Sequence, residues 1–206
     1  MGIDTDVTAS SGTPDVGRKV QAFGRGQHLF EEGESAEFFY KVVSGVIRTY
    51  RVQEDGRRHI DSFHVAGDFF GIETGLQYRF SANAVSDATV IALRRRRTGT
   101  LSALEPALAR EVTQSVLRSL ERAQNHSQVL GLRMACEKVT AFLSDMAVRL
   151  PRHEECLQLI PQTDIADHLG LSRETVSRAL CHLGPDGRKM HRTRRRPPSA
   201  TRTSGR

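Results

Sequence analysis

The chain has 206 residues, of which 38% are hydrophobic and 26% are charged, values that suit one large soluble domain or two smaller ones. No segment approaches the roughly 20 consecutive apolar residues of a membrane-spanning helix, and the acidic start is not a signal peptide, so we expect a cytoplasmic protein without a membrane partner. Three widely spaced cysteines, Cys136, Cys156 and Cys181, argue against a disulfide framework and a close-spaced metal site.

The net charge of +6 is unevenly distributed. Residues 184–206 carry eight Lys and Arg against one Asp, a charge of +7. The other 22 basic and 23 acidic residues leave residues 1–183 at −1. The high isoelectric point is therefore a poor argument for nucleic-acid binding, which has to rest on a motif.

The first half of the chain is predicted to be β. Residues 1–18 have the Gly, Ser, Thr and Asp content of a disordered leader. Residues 19–97 contain short apolar or alternating runs separated by turn signals, such as "HLF" before "EEGES" and "VIRTYRV" before "QEDGRR". The Glu54-Asp55-Gly56 sequence between two such runs predicts a hairpin. Short, regularly punctuated strands are typical of a small barrel or sandwich.

The period changes after this region. Apolar residues recur every three or four positions on one helical stripe: Leu101, Leu104, Leu108, Val112, Val116 and Leu120. They predict a helix over 98–130, with Pro106 near its first turn. The stripe fits a helix packed on its own domain, and it also fits a coiled coil between two subunits.

Residues 131–183 are predicted to form a helical unit. An amphipathic helix covers Leu132–Leu150 and ends before Pro151, and "HEECLQLI" could form a short strand. "PQTDIADHLGLSRETVSRALCHL" then divides into two short helices with a tight joint, which predicts a helix-turn-helix. Thr163 and Ser172 are the expected N-caps, and Gly170 is expected to adopt the left-handed turn.

The second helix is predicted to read DNA. Its outward polar residues are Arg173, Glu174, Thr175, Ser177 and Arg178. A carboxylate accepts from cytosine N4, and an arginine donates to guanine O6 and N7, so this set suits a major groove. The alternative is a solvated face with helix ion pairs. Cys181, just beyond, is either a small buried residue or a redox-sensitive thiol close to bound phosphates.

These motifs resemble the Crp/Fnr family of bacterial transcription regulators, and most closely its FixK-like subgroup. The resemblance rests on "GQHLFEEGESAEFFYKVVSGVIRTYRVQEDGRRHIDSFHVAGDFFG", on "FSANAVSDATV" and "EKVTAFL", and on "QTDIADHLGLSRETVSRAL". It implies an α+β fold: a cyclic-nucleotide-binding-like β-roll, a long dimerisation helix and a winged helix-turn-helix. The implied partners are double-stranded DNA, RNA polymerase and a second copy of the chain.

The resemblance also implies a function. Family members with a Glu-x-x-Ser-Arg pattern read TTGA-type half-sites, and the matching residues here are Glu174, Ser177 and Arg178. We therefore expect a non-enzymatic regulator of low-oxygen or nitrogen-fixation genes. An effector-binding β-roll with impaired or only non-specific DNA binding is the alternative. A metal enzyme of the cupin kind is disfavoured because the eight histidines include no His-x-His pair.

Two departures from the family pattern argue against a cofactor. Relatives that bind cyclic AMP use Gly-Glu and Arg-Ser pairs, whereas this chain has Gly71-Ile72-Glu73 and Phe80-Ser81, with Arg79 one position away. An aromatic residue in place of the arginine removes the charge-assisted clamp for a phosphate. The N-terminus also lacks the cysteines with which Fnr itself holds an iron–sulfur cluster. We expect neither ligand.

Residues 184–206 depart from the family as well. Relatives continue with a β-hairpin wing, whereas this tail is rich in Arg, Pro, Gly, Ser and Thr, as in disordered segments. We interpret it as the product of a frameshift or premature end, the alternative being a basic arm that grips phosphates. Loss of the wing is expected to expose Leu180 and Leu183.

Overall fold

The computed structural model of the chain describes residues 18–95, 105–150 and 160–183. Its eight strands are β1 (Arg18–Phe23), β2 (His28–Phe30), β3 (Phe38–Ser44), β4 (Ile47–Val52), β5 (Arg58–His64), β6 (Phe69–Phe70), β7 (Ser81–Ala84) and β8 (Ala88–Arg94). Its helices are α1 (Pro106–Gly131), α2 (Ala135–Arg149), α3 (Gln162–Leu169) and α4 (Arg173–His182). Within these ranges, no helix has the length and apolar character needed to cross a membrane.

The strands form two antiparallel sheets. One has the order β1-β8-β3-β6 and the other the order β2-β7-β4-β5. The predicted hairpin joins β4 to β5, and Gly56 in its turn has a φ of 79°. The turn between β3 and β4 requires glycine more strictly, because Gly45 has a φ of 82° and a Cβ there would lie 2.3 Å from the Asp87 carbonyl oxygen.

The inner faces of the two sheets enclose one apolar cluster. Its aromatic members are stacked: the ring centroids of Phe30 and Tyr78 are 3.7 Å apart, and those of Tyr40 and Phe70 are 5.3 Å apart. Stacked rings at these distances bury large apolar areas and add an attraction of their own. This aromatic stack fills the space between the sheets, so the strands form the β-roll that the family resemblance implies.

The helices cover the outer faces of both sheets. Helix α1 packs on the β1-β8-β3-β6 sheet, where Val112 is completely buried with Phe39, Phe69 and Leu93. Helices α2, α3 and α4 share a second core with the outer face of the β2-β7-β4-β5 sheet. The β-roll contributes Tyr50, Ile60 and Phe63 from strands to that shared core, and Val46, Val65 and Val85 from positions next to strand ends. The helix-turn-helix is thus packed directly on the β-roll.

Several sequence predictions change at the helix ends. The helix predicted over 98–130 begins at Pro106 and continues to Gly131, and residues 98–104 lie outside the described ranges. The prediction of Thr163 as an N-cap is wrong: α3 begins two residues earlier than that cap implies, because the Pro161 carbonyl already accepts from the N–H groups of Asp164 and Ile165. Pro161 is therefore the N-cap.

The expected exposure of Leu180 is also wrong. Leu180 is 3% exposed, because α2 packs against α4 and covers it within the shared core. Leu183 is partly buried against the same core. The predicted leader up to residue 17, the predicted strand at 153–159, Pro151 and the tail at 184–206 lie outside the described residues.

Candidate nucleic-acid interface

Helices α3 and α4 meet at a short joint, which is formed by a glycine that ends α3 and a serine that caps α4. Gly170 ends α3 in the left-handed conformation, with a φ of 64°, and the Leu171 N–H donates to the Ala166 carbonyl, 3.0 Å away. The Ser172 hydroxyl then accepts from the Thr175 N–H at 3.1 Å and caps α4. The predicted roles of Gly170 and Ser172 in the joint are confirmed.

The apolar faces of the two helices point towards each other and towards α2. Every residue predicted to face inward is buried: Ile165, Ala166, Leu169, Val176, Ala179 and Leu180. Ala166 is small enough for the helices to approach closely, and Leu171 fills the angle between them. Burial of this face leaves the opposite face of α4 to the solvent.

The predicted reading residues lie on and beside that open face. Arg173, Glu174 and Arg178 are exposed, and Ser177 is half-buried. Thr175 is also half-buried, and its hydroxyl lies 2.9 Å from the Ser172 hydroxyl, so its side chain supports the cap. The Arg178 Nε donates to the Glu174 carbonyl at 3.4 Å, which leaves the guanidinium on the outer surface. The structure therefore brings four of the five side chains together at one surface.

Cys181 lies one turn beyond this surface and is exposed. Its exposure removes the interpretation of Cys181 as a small buried residue. Cys136 on α2 is partly buried against the shared core.

The helix-turn-helix is tied to the β-roll by buried ion pairs. Asp164 on α3 is 1% exposed, and its carboxylate accepts from Arg48 on β4 and from Arg58 on β5. The Arg58 Nη2–Asp164 Oδ1 distance is 2.6 Å. Arg58 also donates through Nε to Asp167 Oδ2 at 2.8 Å. We call Asp164, Asp167, Arg48 and Arg58 the interdomain ion network.

A buried histidine lies beside this network. The Nδ1 of His168 on α3 lies 3.0 Å from the Ile60 carbonyl, so it is assigned the proton and donates. The ring packs edge-to-face with Phe63 and Phe142. Burial lowers the pKa of His168 to about 3, and the nearby His126 adds to the effect.

Asp68 joins α1, α2 and the β-roll. Its carboxylate lies 3.3 Å from Arg122 on α1 and 3.0 Å from Arg149 on α2, and accepts from the Val65 N–H at 3.0 Å. Burial alone raises the pKa of Asp68, but the Val65 hydrogen bond and the two arginines outweigh it, so the pKa is lowered. The carboxylate is therefore charged and holds the two helices on the roll.

Helix α1 presents a second open surface. Positions spaced alternately by four and three residues carry only small or apolar side chains and Thr or Ser: Ala109, Thr113, Val116, Leu120, Ala123, Ser127 and Leu130. Val116 and Leu120 are 42% and 55% exposed. This spacing is that of a coiled-coil seam. We call these seven residues the α1 seam.

The two charged residues that lie one position away from the nucleotide-clamp pattern, Glu73 and Arg79, pair with each other. Glu73 Oε2 lies 2.7 Å from Arg79 Nε, and the Glu73 side chain is 6% exposed. Phe80 is covered by the Arg51 guanidinium, 4.9 Å from the ring centroid. Ser81 Oγ accepts from the Glu32 N–H at 3.0 Å. Glu73 and Ser81 thus have partners within the chain.

The ion networks join residues that are too far apart in the sequence to be predicted from it. Arg48 and Asp164 are 116 positions apart, and Arg122 lies far from Asp68 as well. Local patterns report helix faces and turns, not partners this distant. In the sequence, the only indication of a buried ion pair is that Asp164 precedes the apolar Ile165 in a short helix. This does not identify the arginine on a distant strand that pairs with it.

Two family models match the chain. A cyclic nucleotide-binding domain matches residues 20–103, and a Crp-like helix-turn-helix domain matches residues 137–195. The first match corresponds to the β-roll. The second covers most of α2, the helix-turn-helix and the first part of the basic tail.

Curated relatives and solved structures agree with these matches. The chain is 40% identical over 186 residues to the nitrogen fixation regulation protein FixK of Azorhizobium caulinodans, with 88% of this chain and 73% of that protein covered. It is 36% identical to the transcriptional activatory protein AadR of Rhodopseudomonas palustris, covering 78% and 69%. The structure of FixK2 from Bradyrhizobium japonicum superposes with a TM-score of 0.72 at 35% identity, covering 82% of this chain and 86% of that one.

Proposed function

The chain belongs to the Crp/Fnr family of transcription regulators, and from this we propose that it regulates nitrogen-fixation or low-oxygen genes by binding TTGA-type palindromes as a homodimer. The family is one of DNA-binding regulators, not of enzymes. The similarity to nitrogen fixation regulation proteins supports the choice of target genes. The proposed partners are double-stranded DNA and RNA polymerase. Because both are found in the bacterial cytoplasm, we propose that the protein acts there.

The observation that carries this proposal is the open face of a well-capped recognition helix. Glu174 and Arg178 are exposed and Ser177 is half-buried on α4, and the opposite face of this helix is buried in the core. A glutamate accepts from cytosine N4, and an arginine donates to guanine O6 and N7. The two side chains can therefore read cytosine and guanine bases on the two strands of a major groove. Phosphate contacts alone would not need a carboxylate at this position.

The α1 seam supports the dimer. Its exposed apolar positions follow the alternating spacing of four and three residues that lets two helices pack side by side. A symmetric pair places two recognition helices on one side of the DNA, about 34 Å or one helical turn apart. A palindromic site is the matching DNA symmetry.

We further propose that DNA binding needs no cyclic nucleotide. The Glu73 carboxylate is already paired with Arg79, and an aromatic residue, Phe80, precedes Ser81. The interior of the β-roll is occupied by the aromatic stack described above. To bind Arg79, the phosphate of a cyclic nucleotide would have to displace the Glu73 carboxylate from its ion pair.

A gel-shift titration tests the function. The full chain is titrated onto a TTGA-type palindrome and onto a scrambled duplex of equal length and composition, at several salt concentrations. We expect at least about a thousandfold preference for the palindrome at physiological salt, as is typical of specific regulators. Equal affinity for both duplexes, with the same steep salt dependence, would contradict the proposal and indicate binding by charge alone.

A further inference from the structure

We propose that Asp164 is a positioning residue for DNA recognition: it holds the helix-turn-helix at one angle on the β-roll and thereby sets the half-site spacing that the dimer accepts. The inference rests on the proposed dimeric DNA binding and deepens it. Asp164 faces the β-roll, opposite to the exposed reading residues, so it acts on DNA only through the orientation of α3 and α4.

The geometry of the carboxylate is what singles Asp164 out. One oxygen, Oδ2, accepts from Arg48 on β4, and the other, Oδ1, accepts from Arg58 on β5. Arg48 is itself held by Asn83 on β7, with an Nε–Oδ1 distance of 2.7 Å. Asp164 therefore bridges two adjacent strands, and a third strand holds one of its partners.

Arg58 extends the attachment along α3. Its guanidinium contacts Asp164 and Asp167, which are three residues apart on the same helix face. The guanidinium carbons of Arg48 and Arg58 lie 5.9 and 5.8 Å from the centroid of the Tyr50 ring. The two arginines and two aspartates of the interdomain ion network have no net charge. The Tyr50 ring, which both guanidinium groups contact, further fixes their positions.

The two kinds of contact between the domains do different work. The apolar core shared by α2, α3, α4 and the β-roll favours contact, but burial of apolar area is not directional. Charge-assisted hydrogen bonds to a planar guanidinium require a defined distance and angle. Asp164 is almost fully buried, so rotation of α3 away from this geometry would leave buried charges without partners.

The angle of α3 determines the angle of α4. The joint consists of Gly170, Leu171 and Ser172, and the helices share the core residues Ala166 and Val176. In a dimer, adding one base pair between half-sites moves one of them by about 3.4 Å and rotates it by about 35°. A rigidly docked recognition helix rejects that change, whereas a loosely docked one tolerates it.

The test measures spacing preference rather than affinity alone. Gel shifts first identify the spacer between two TTGA-type half-sites that binds the wild type best, and then compare it with spacers one base pair longer and one base pair shorter. We expect the wild-type dimer to prefer one spacing by about tenfold or more. Asp164→Asn keeps the shape but loses the charge and one acceptor, so the preference is expected to fall to about threefold or less.

Controls separate positioning from stability. Leu143→Ala weakens the shared core on α2 without touching the interdomain ion network, so it should reduce affinity equally at all three spacings. Arg58→Lys keeps the charge but removes the fork and serves as a milder second variant if Asp164→Asn folds poorly. An unchanged spacing ratio in both network variants would overturn the inference and leave Asp164 a merely structural residue.

A second readout does not need DNA. Nitroxide labels are placed on Cys181 at the end of α4, in a background carrying Cys136→Ser and Cys156→Ser, and the label-to-label distances in the dimer are measured by pulsed electron spin resonance. We expect a narrow distribution in the parent and one at least about twice as wide with Asp164→Asn. An equally narrow distribution in the variant contradicts the positioning role, whereas the absence of any distance in the parent contradicts the dimer itself.

Discussion

The imidazole of His168 on α3 is stacked on that of His126 on α1, with ring centroids 4.0 Å apart and planes inclined by 15°. The contact joins the helix-turn-helix to the helix that carries the α1 seam. Two charged imidazoles at this distance would repel each other, and burial lowers the pKa of both rings. The junction is therefore built for neutral histidines.

The first prediction concerns pH. His64 and His168 are buried with pKa values of about 3, against 6.5 in the unfolded chain, so the unfolded state binds more protons between those limits. Stability is therefore fully present above pH 6.5 and is lost as the pH falls towards 3. From pH 6.5 to pH 5, each histidine should cost about 2 kcal/mol of the free energy of unfolding.

Urea unfolding at several pH values checks this prediction with two variants. His168→Gln keeps a donor for the Ile60 carbonyl but takes up no proton, so it should lose about 2 kcal/mol of the pH-dependent change. His182→Gln, at the exposed end of α4, is the control and should leave the wild-type pH dependence unchanged. A His168→Gln profile parallel to that of the wild type would show that His168 is not responsible.

The second prediction concerns the α1 seam. Leu120→Glu places a carboxylate within the proposed subunit contact, so the dimer should dissociate to monomers in analytical ultracentrifugation. Affinity for the palindrome should fall by about a hundredfold or more, because the two half-sites are no longer bound by linked modules. Val148→Glu, on an 89% exposed position of α2, is the matched control and should stay dimeric. A dimeric Leu120→Glu variant would place the subunit contact elsewhere.

The third prediction concerns base reading by Glu174. Glu174→Ala removes the carboxylate acceptor, so discrimination against substitution of the contacted base pair should decrease by about 1–3 kcal/mol. The salt dependence of binding should not weaken, because no phosphate contact is lost. Glu54→Ala, which removes an exposed carboxylate in the β4–β5 turn, should retain full discrimination. Binding to a panel of single-base variants of the site provides the measurement.

The fourth prediction concerns Cys181, which we propose is redox-sensitive. Its thiol is exposed on the reading helix, and oxidation to an acid adds bulk and negative charge near bound phosphates. Peroxide should therefore weaken DNA binding by the wild type and by Cys136→Ser, but not by Cys181→Ser. Equal peroxide sensitivity of all three proteins in gel shifts would show that Cys181 is not the sensor.

The fifth prediction concerns cyclic nucleotides. A ligand present at 100 times its dissociation constant stabilises a protein by about 2.7 kcal/mol, which is visible as a shift in Tm. Because Glu73 and Arg79 satisfy each other, millimolar cyclic AMP or cyclic GMP should leave Tm and DNA affinity unchanged. A rise in Tm that saturates with nucleotide concentration would contradict this prediction.

Much of the architecture was accessible from local patterns. Alternating runs and turn residues predicted a small barrel or sandwich with a hairpin at Gly56, because strand and turn preferences act over a few residues. The family resemblance narrowed this prediction to a β-roll. The Gly170 and Ser172 positions predicted the joint between α3 and α4 for the same reason. The ends of helices were predicted less accurately. Threonine is a common N-cap, but the first hydrogen bonds of α3 are accepted by the Pro161 carbonyl, before Thr163.

Periodicity and residues close together in the chain were enough to predict a small β domain, the long helix, the helix-turn-helix and the polar set on its outer face. The packing of the elements alone established that α2 covers Leu180 and that Asp164 meets Arg48 and Arg58. It also decided that Glu73 is occupied by Arg79. These contacts depend on how sheets and helices pack, and a buried charge finds its partner only after that packing brings distant residues together.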